Sequence, residues 1–373
     1  MYHRREILFS IAGALAAGPL RIAAAEEIPN PQHVLASAAR QSPIRHPTKL
    51  GICTDSYALR KRDDRNIREP GARFTEPLRF LAYCHERGAG GIQLDIGRRD
   101  ETYARKLRQQ AQDWGMFVEA SMGLPRDEAD VERFDAELTT AQNAGVTVIR
   151  TVMPGRGSGR RYEAYDSAEA VRAARARGRR ALELAEPVVA RHRMRLAVEN
   201  HKDERIPERL ETLKALGSEY VGACVDTGND VSFLEDPMAV VEAYAPWAFS
   251  VHLKDMAVQE YEEGFLLAEV PLGEGVLDLP KVVQILRQHH PEVHFLLEMM
   301  TRDPLKVPCL TEKYWAAMGD VPGVDLARTL RLVRARGRRD LPRISHLSLD
   351  EQYQREDGNV KRCLAWAREH LGL

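Results

Sequence analysis

Eight short runs of β-branched and other apolar residues recur along the chain, at 49–53, 91–95, 116–121, 146–152, 195–200, 220–226, 249–254 and 293–298. Longer stretches of helical character separate them. A short apolar run is buried on both faces when it lies in a parallel sheet, and parallel neighbours need a crossover of a dozen residues or more. Eight alternations suffice to close such a sheet on itself, so the pattern predicts an α/β chain folded as a (β/α)8 barrel. An open doubly wound sheet competes, but no glycine-rich phosphate turn follows the first run. Helices are expected at 75–87, 127–143, 167–186, 210–216, 278–287 and 324–336, with a last one at 358–370. Gly88, Gly145 and Gly217 serve as stops, and Pro187 is expected to kink or end the third of these helices. The long connection after the eighth run, 301–350, is a candidate cap over the mouth of the barrel or an oligomer contact, with Tyr314 and Trp315 as a candidate aromatic platform.

At 44% hydrophobic and 29% charged, the 373 residues suit one large globular domain or at most two. Residues 1–25 read as an export signal: Arg4-Arg5 open it, an apolar run from Ile7 to Leu20 follows, and Ala23-Ala24-Ala25 supply the small side chains of a cleavage site. The adjacent arginines resemble the twin-arginine type. A periplasmic or secreted protein is therefore expected, with an approach segment at 26–47, the barrel at 48–373 and no stable membrane insertion. Without the leader the formal charge moves from −1 to about −3, which gives no electrostatic reason for a nucleic-acid partner. A homo-oligomer is compatible with this sequence. Five cysteines without metal-motif spacing imply no disulfide framework.

Charged residues fall at a telling place. Four successive runs carry Glu199, Asp226, His252 and Glu298 at or near their C-terminal ends. In a barrel the C-terminal ends of the strands meet at one mouth, where loop backbones open and ligands converge without crossing the packed interior. Three carboxylates and one imidazole suit one hard or borderline divalent ion, Mn²⁺ first, with Mg²⁺, Co²⁺ or Zn²⁺ as alternatives. Singly, each residue has a plainer reading as a helix cap, a core histidine or a surface acid. Together they define a centre with open positions for substrate oxygens.

The phrases Ala197-Val-Glu199-Asn200, Cys224-Val-Asp226-Thr-Gly-Asn229, Val251-His252-Leu-Lys254-Asp255 and Pro271-Leu-Gly273-Glu274-Gly275 resemble the xylose isomerase-like barrel superfamily, especially its sugar epimerase, hydroxypyruvate isomerase and inosose dehydratase branches. The resemblance implies that Glu199, Asp226, His252 and Glu298 are metal ligands. It further implies that Glu199 and Glu298 act as two bases on opposite faces of the substrate. The implied reaction is a metal-dependent isomerisation or epimerisation of a sugar or sugar derivative by proton abstraction through an enediolate. Asn229 stands where many epimerases of this group have a histidine, and Val258 where they have a substrate-binding arginine. The Lys254-Asp255 pair resembles the dehydratase branch, so a lyase, dehydratase or hydratase acting on a keto-sugar, inosose or 3-keto-glycoside is the alternative, with Lys254 catalytic. Lys254 has a structural reading too, a salt bridge to Asp255 or Glu274. His201, Asn229, Tyr57 and Arg156 are candidate substrate-binding residues, the last in a loop with Arg160 and Arg161. Gln93, Glu119 and Asn229 occupy positions where the superfamily's three-metal endonucleases need histidines. A non-catalytic sugar-binding barrel is the rival class, and the presence of all four ligands and both acids favours an enzyme.

Overall fold

The computed structural model describes residues 47–154 and 160–373. The expected export signal, nearly all of the approach segment and Arg156 lie outside them. Eight parallel strands close into a barrel: β1 (Gly51–Cys53), β2 (Gly91–Leu94), β3 (Phe117–Ser121), β4 (Val148–Thr151), β5 (Arg195–Glu199), β6 (Val221–Asp226) and β7 (Ala248–Leu253), with the eighth place taken by β10 (Phe295–Leu297). Seven of these eight strands fall inside a run predicted from sequence, and β7 starts one residue before its run. Closure is made by β1 and β10, where Gly51 stands opposite Leu296.

At the N-terminal end the barrel is plugged by the Phe117 ring, stacked on His294 at 3.9 Å between centroids. A Cβ on Gly91 would lie 2.4 Å from that ring, so glycine is what lets it fit.

Helices cover the outside. Glu101–Asp113, not expected from sequence, buries only Ala104, Leu107 and Ala111. The helix Ala168–His192 runs through Pro187 instead of ending there. Pro187 lies on the exposed face, so the carbonyl that loses its intrahelical partner meets water. The last helix, Leu349–His370, starts a full two turns before the expected residue 358, behind a capping box in which the Ser348 and Glu351 side chains bond each other's backbone N–H.

A second sheet was not legible in the sequence. Directly after β7 the chain forms β8 (Asp255–Tyr261) and β9 (Gly264–Val270), an antiparallel hairpin, to which β11 (Leu305–Val307) adds. Asp255 organises the chain leaving the hairpin. Its carboxylate accepts from the N–H groups of Met256 (2.9 Å), Gly273 (3.0 Å), Gly275 (2.8 Å) and Leu277 (3.2 Å). The helices Glu312–Met318 and Gly323–Arg336 of the 301–350 segment share a separate apolar cluster with this sheet, including Phe233, Met256, Phe265, Tyr314 and Val333. That cluster reaches the 3₁₀ turn Asn229–Phe233, which leaves the C-terminal end of β6.

Candidate metal centre

Strand register delivers the four predicted ligands to one place. Glu199 and Asp226 are the last residues of β5 and β6, His252 is opposite Asp226 on β7, and Glu298 follows β10. One ligand atom from each lies within 4.8 Å of the other three, and all four side chains are buried. His252 Nδ1 is 3.4 Å from Glu199 Oε2 and 3.3 Å from Glu298 Oε2. Nδ1, Asp226 Oδ2 and Glu298 Oε2 have no directed hydrogen bond, although Lys254 Nζ lies 2.8 and 2.6 Å from the two carboxylates. Buried polar atoms aimed at one another without directed bonds fit a cation that would bind them all. Cys224 also lies beside Glu199 and His252, but burial raises its thiol and so disfavours the thiolate a metal would need.

The charge balance is tight. Burial would raise the Glu199 carboxyl, yet Arg150 and His252 hold it at about 2. Arg150 Nε donates to Glu199 Oε2 at 2.6 Å, and its Nη2 is also paired with that carboxylate. Glu298, against the same burial penalty, is kept well below the usual carboxylate range by Lys254 and His252. Burial lifts Asp226 to about 7, with Lys254 opposing. His252 would be lowered by burial, but Cys224, Glu199 and Glu298 raise it well above the ordinary imidazole value. A proton on that ring and a metal ion therefore compete for one negative site.

Lys254 is thus inside the constellation and bridges two of its acids, whereas Asp255 is turned to the backbone N–H groups described above. Asn229 is there as well: its Nδ2 donates to Glu199 Oε1 (3.3 Å) and Asn200 O (3.0 Å), and its N–H donates to Asp226 Oδ1 (3.0 Å). His201 is half-buried beside Glu199, and burial lowers its pKa.

Tyr57 is not brought to this cluster; its ring packs on Phe74 and Tyr83, and its hydroxyl donates to Asp357 at 3.3 Å. Tyr314 forms no exposed platform, because it is fully buried and donates to Ser232 O at 2.8 Å. Trp315 donates to Cys309 O. Arg161 ties Glu208 to the carbonyls of Ala317 and Met318.

Several contributors were given no role at this centre from sequence. Arg150 sits within β4, where an isolated charge reads as outward-facing. Gln93 of β2 accepts from His252 Nε2. Asn200 bridges β5 and β6, with its Oδ1 accepting from Asp226 N–H and its Nδ2 donating to Asp226 O, each at 2.8 Å. Lys202 is fully buried against Asn229.

Residues 81–317 match the xylose isomerase-like TIM barrel family, and the chain belongs to that family. It is 29% identical over 237 residues to the 3-oxo-isoapionate decarboxylase of Pectobacterium atrosepticum, a match covering 61% of this chain and 80% of that protein. Among solved structures, a xylose isomerase-like TIM barrel protein from Mycobacterium smegmatis in complex with magnesium superposes with a TM-score of 0.51 at 16% identity, over 78% of this chain and 99% of that one. A D-psicose 3-epimerase determined in the presence of D-fructose gives 0.50 at 14% identity, over 78% of this chain and 99% of that one. At these identities the two structures speak to the fold alone.

Proposed function

We propose that this protein is a divalent-metal-dependent lyase acting on a polyhydroxylated carbonyl compound, a sugar or sugar derivative. Glu199, Asp226, His252 and Glu298 would hold the metal, which when bound supplies a Lewis acid for the substrate's carbonyl oxygen. In the reaction a bond to the carbon next to the carbonyl is broken, and its electron pair is delocalised into the carbonyl as an enolate. If the departing group is a carboxylate, it leaves as carbon dioxide and the carbon takes up a proton. Loss of a hydroxyl as water one carbon further on needs a base to take the proton next to the carbonyl first, so it is the less favoured branch.

The observation that carries this reading is that both acids of the expected base pair are held in buried ion pairs, Glu199 with Arg150 and Glu298 with Lys254. Carboxylates held so far below the usual range are poor proton acceptors. Arg150 beside Glu199, and Lys254 once a metal takes its place on Asp226 and Glu298, would supply positive charge to an oxyanion forming at this centre. The similarity to a decarboxylase supports the same class of reaction. A second reading, isomerase or epimerase, draws on Glu199 and Glu298 reaching one centre from different strands, as the two bases of that chemistry would have to. The export-like N-terminus makes a periplasmic or secreted enzyme part of the proposal.

The test is to incubate metal-loaded protein in deuterium oxide with a panel of keto-sugars, inososes and 3-oxo sugar acids, and to follow the products by NMR. A lyase yields a product shorter by water or carbon dioxide. An epimerase or isomerase incorporates deuterium without net loss. Neither outcome across the panel, with metal bound stoichiometrically, counts against both readings.

A further inference from the structure

Lys202 is 4% exposed, and its Nζ donates to the amide oxygen of Asn229. Lys254 Nζ reaches the same oxygen at 3.3 Å. Two buried ammonium groups thus share one neutral acceptor. Lys254 has Asp226 and Glu298 as counter-charges. Among the described residues, no carboxylate lies within ion-pair distance of Lys202 Nζ. The nearby acid Glu269 is engaged by Arg302, with Nε at 3.1 Å. A buried cation without a carboxylate in direct contact is costly, and chains tolerate such a position where something else supplies the charge. The backbone adds to the cost: Lys202 has φ of 50°, in the left-handed region. Left-handed backbone at a non-glycine residue is a strain that collects at ligand-binding positions. The carbonyl of Lys202 is fixed in that conformation by Arg161 N–H at 2.9 Å. Burial, and then Lys254 and Arg302, push the ammonium down to about 8, as expected for a cation among cations.

We infer that Lys202 is the anchor for a carboxylate on the substrate, which makes the substrate a hydroxylated keto acid and not a neutral sugar. The inference rests on the proposed function for the existence of a substrate beside the four acids, and it deepens that reading by naming the substrate's charged group. The place is consistent in charge. Lys202, Lys254 and Arg302 face Asp226 and Glu269, and a metal ion that engages Asp226 and Glu298 leaves the cations in excess. An incoming carboxylate would meet that excess next to Asn229, whose amide already touches Glu199.

The test is binding and does not need turnover. 5-Keto-D-gluconate and L-sorbose share a six-carbon hydroxylated ketone skeleton and differ in a carboxylate against a hydroxymethyl group. Calorimetric titration of the full-length protein, loaded with Mn²⁺, is expected to show at least roughly tenfold tighter binding of the acid, the size of one charge-assisted contact. Lys202→Met should abolish that preference while leaving L-sorbose affinity within about twofold, and Lys202→Arg should restore part of it. Circular dichroism and Mn²⁺ stoichiometry of each variant establish that fold and metal are intact. A wild-type protein that does not favour the acid, including one that binds neither compound, overturns the inference, as does a Lys202→Met protein that keeps the preference. A carboxylate preference that depends on Lys202 in a protein that transforms no substrate supports the inference and counts against the lyase reading, so the two fail separately.

Discussion

Gln93 Oε1 lies 2.7 Å from His252 Nε2. The Gln93 amide donates to Glu119 Oε2 at 3.0 Å, which fixes its oxygen toward the imidazole. The ring therefore carries a hydrogen on Nε2 and turns Nδ1 to the acids, an outer contact of the kind that orients metal-binding histidines. Gln93→Met is expected to weaken Mn²⁺ affinity by roughly 10- to 100-fold with little change in circular dichroism. Unchanged affinity in a calorimetric titration would mean that the ring is held by other contacts.

Arg150 pairs with a fully buried carboxylate, so its removal strands a charge. Arg150→Met is expected to cost roughly 3 kcal/mol in denaturant unfolding. It also removes the group most responsible for holding Glu199 low, so the acid limb of the kcat profile against pH should move upward by about one unit. An unmoved limb would separate Glu199 from the reaction.

The metal-free protein should lose stability as pH rises from about 5 to about 8. Burial raises Asp226 and Glu235 to about 7 and Asp230 well above the ordinary aspartate value. His252 is raised too, by Cys224, Glu199 and Glu298 against burial. Each of these groups binds its proton more tightly in the folded chain. Its contribution is complete below the unfolded pKa and is lost as pH climbs through the folded one. His201, lowered by burial, works in the opposite direction, and only below about 6.5. Because a metal needs deprotonated ligands, the gap in Tm between Mn²⁺-loaded and metal-free protein should widen over the same range. A gap that narrows contradicts the prediction.

Asp255 bonds four backbone N–H groups, and a Cβ on Gly275 would lie 2.0 Å from its Oδ1. Asp255→Ala is expected to cost about 2 kcal/mol in denaturant unfolding, because one buried and three partly buried or exposed N–H groups lose their shared acceptor. Gly275→Ala should also destabilise, by displacing the carboxylate. A cost under about 1 kcal/mol for Asp255→Ala would show that the turn holds itself.

The barrel was legible because a strand buried on both faces writes a dense β-branched run, and the clustering of the four candidate ligands because each lies at or near the end of such a run. What escaped was decided by tertiary context. Glu101–Asp113 shows too thin an apolar face for its pattern to stand out. Phe265, Leu266 and Leu267 of β9 are as apolar as barrel strands but pair antiparallel with β8, a choice set by the tight turn before Gly264. Arg150 and Lys202 look like ordinary surface cations in sequence, and only closure of the barrel buries them beside Glu199 and Asn229. Tyr57 follows β1 as a site residue would, yet Asp357, some three hundred residues later in the chain, takes its hydroxyl.

The account turns on a metal ion held by Glu199, Asp226, His252 and Glu298. The most direct test is anomalous diffraction from crystals grown with Mn²⁺. One strong peak within about 2.0–2.3 Å of an atom from each of the four side chains is the predicted result. A density map in which Lys254 still closes the cluster at millimolar Mn²⁺, with no peak among those side chains, would contradict it.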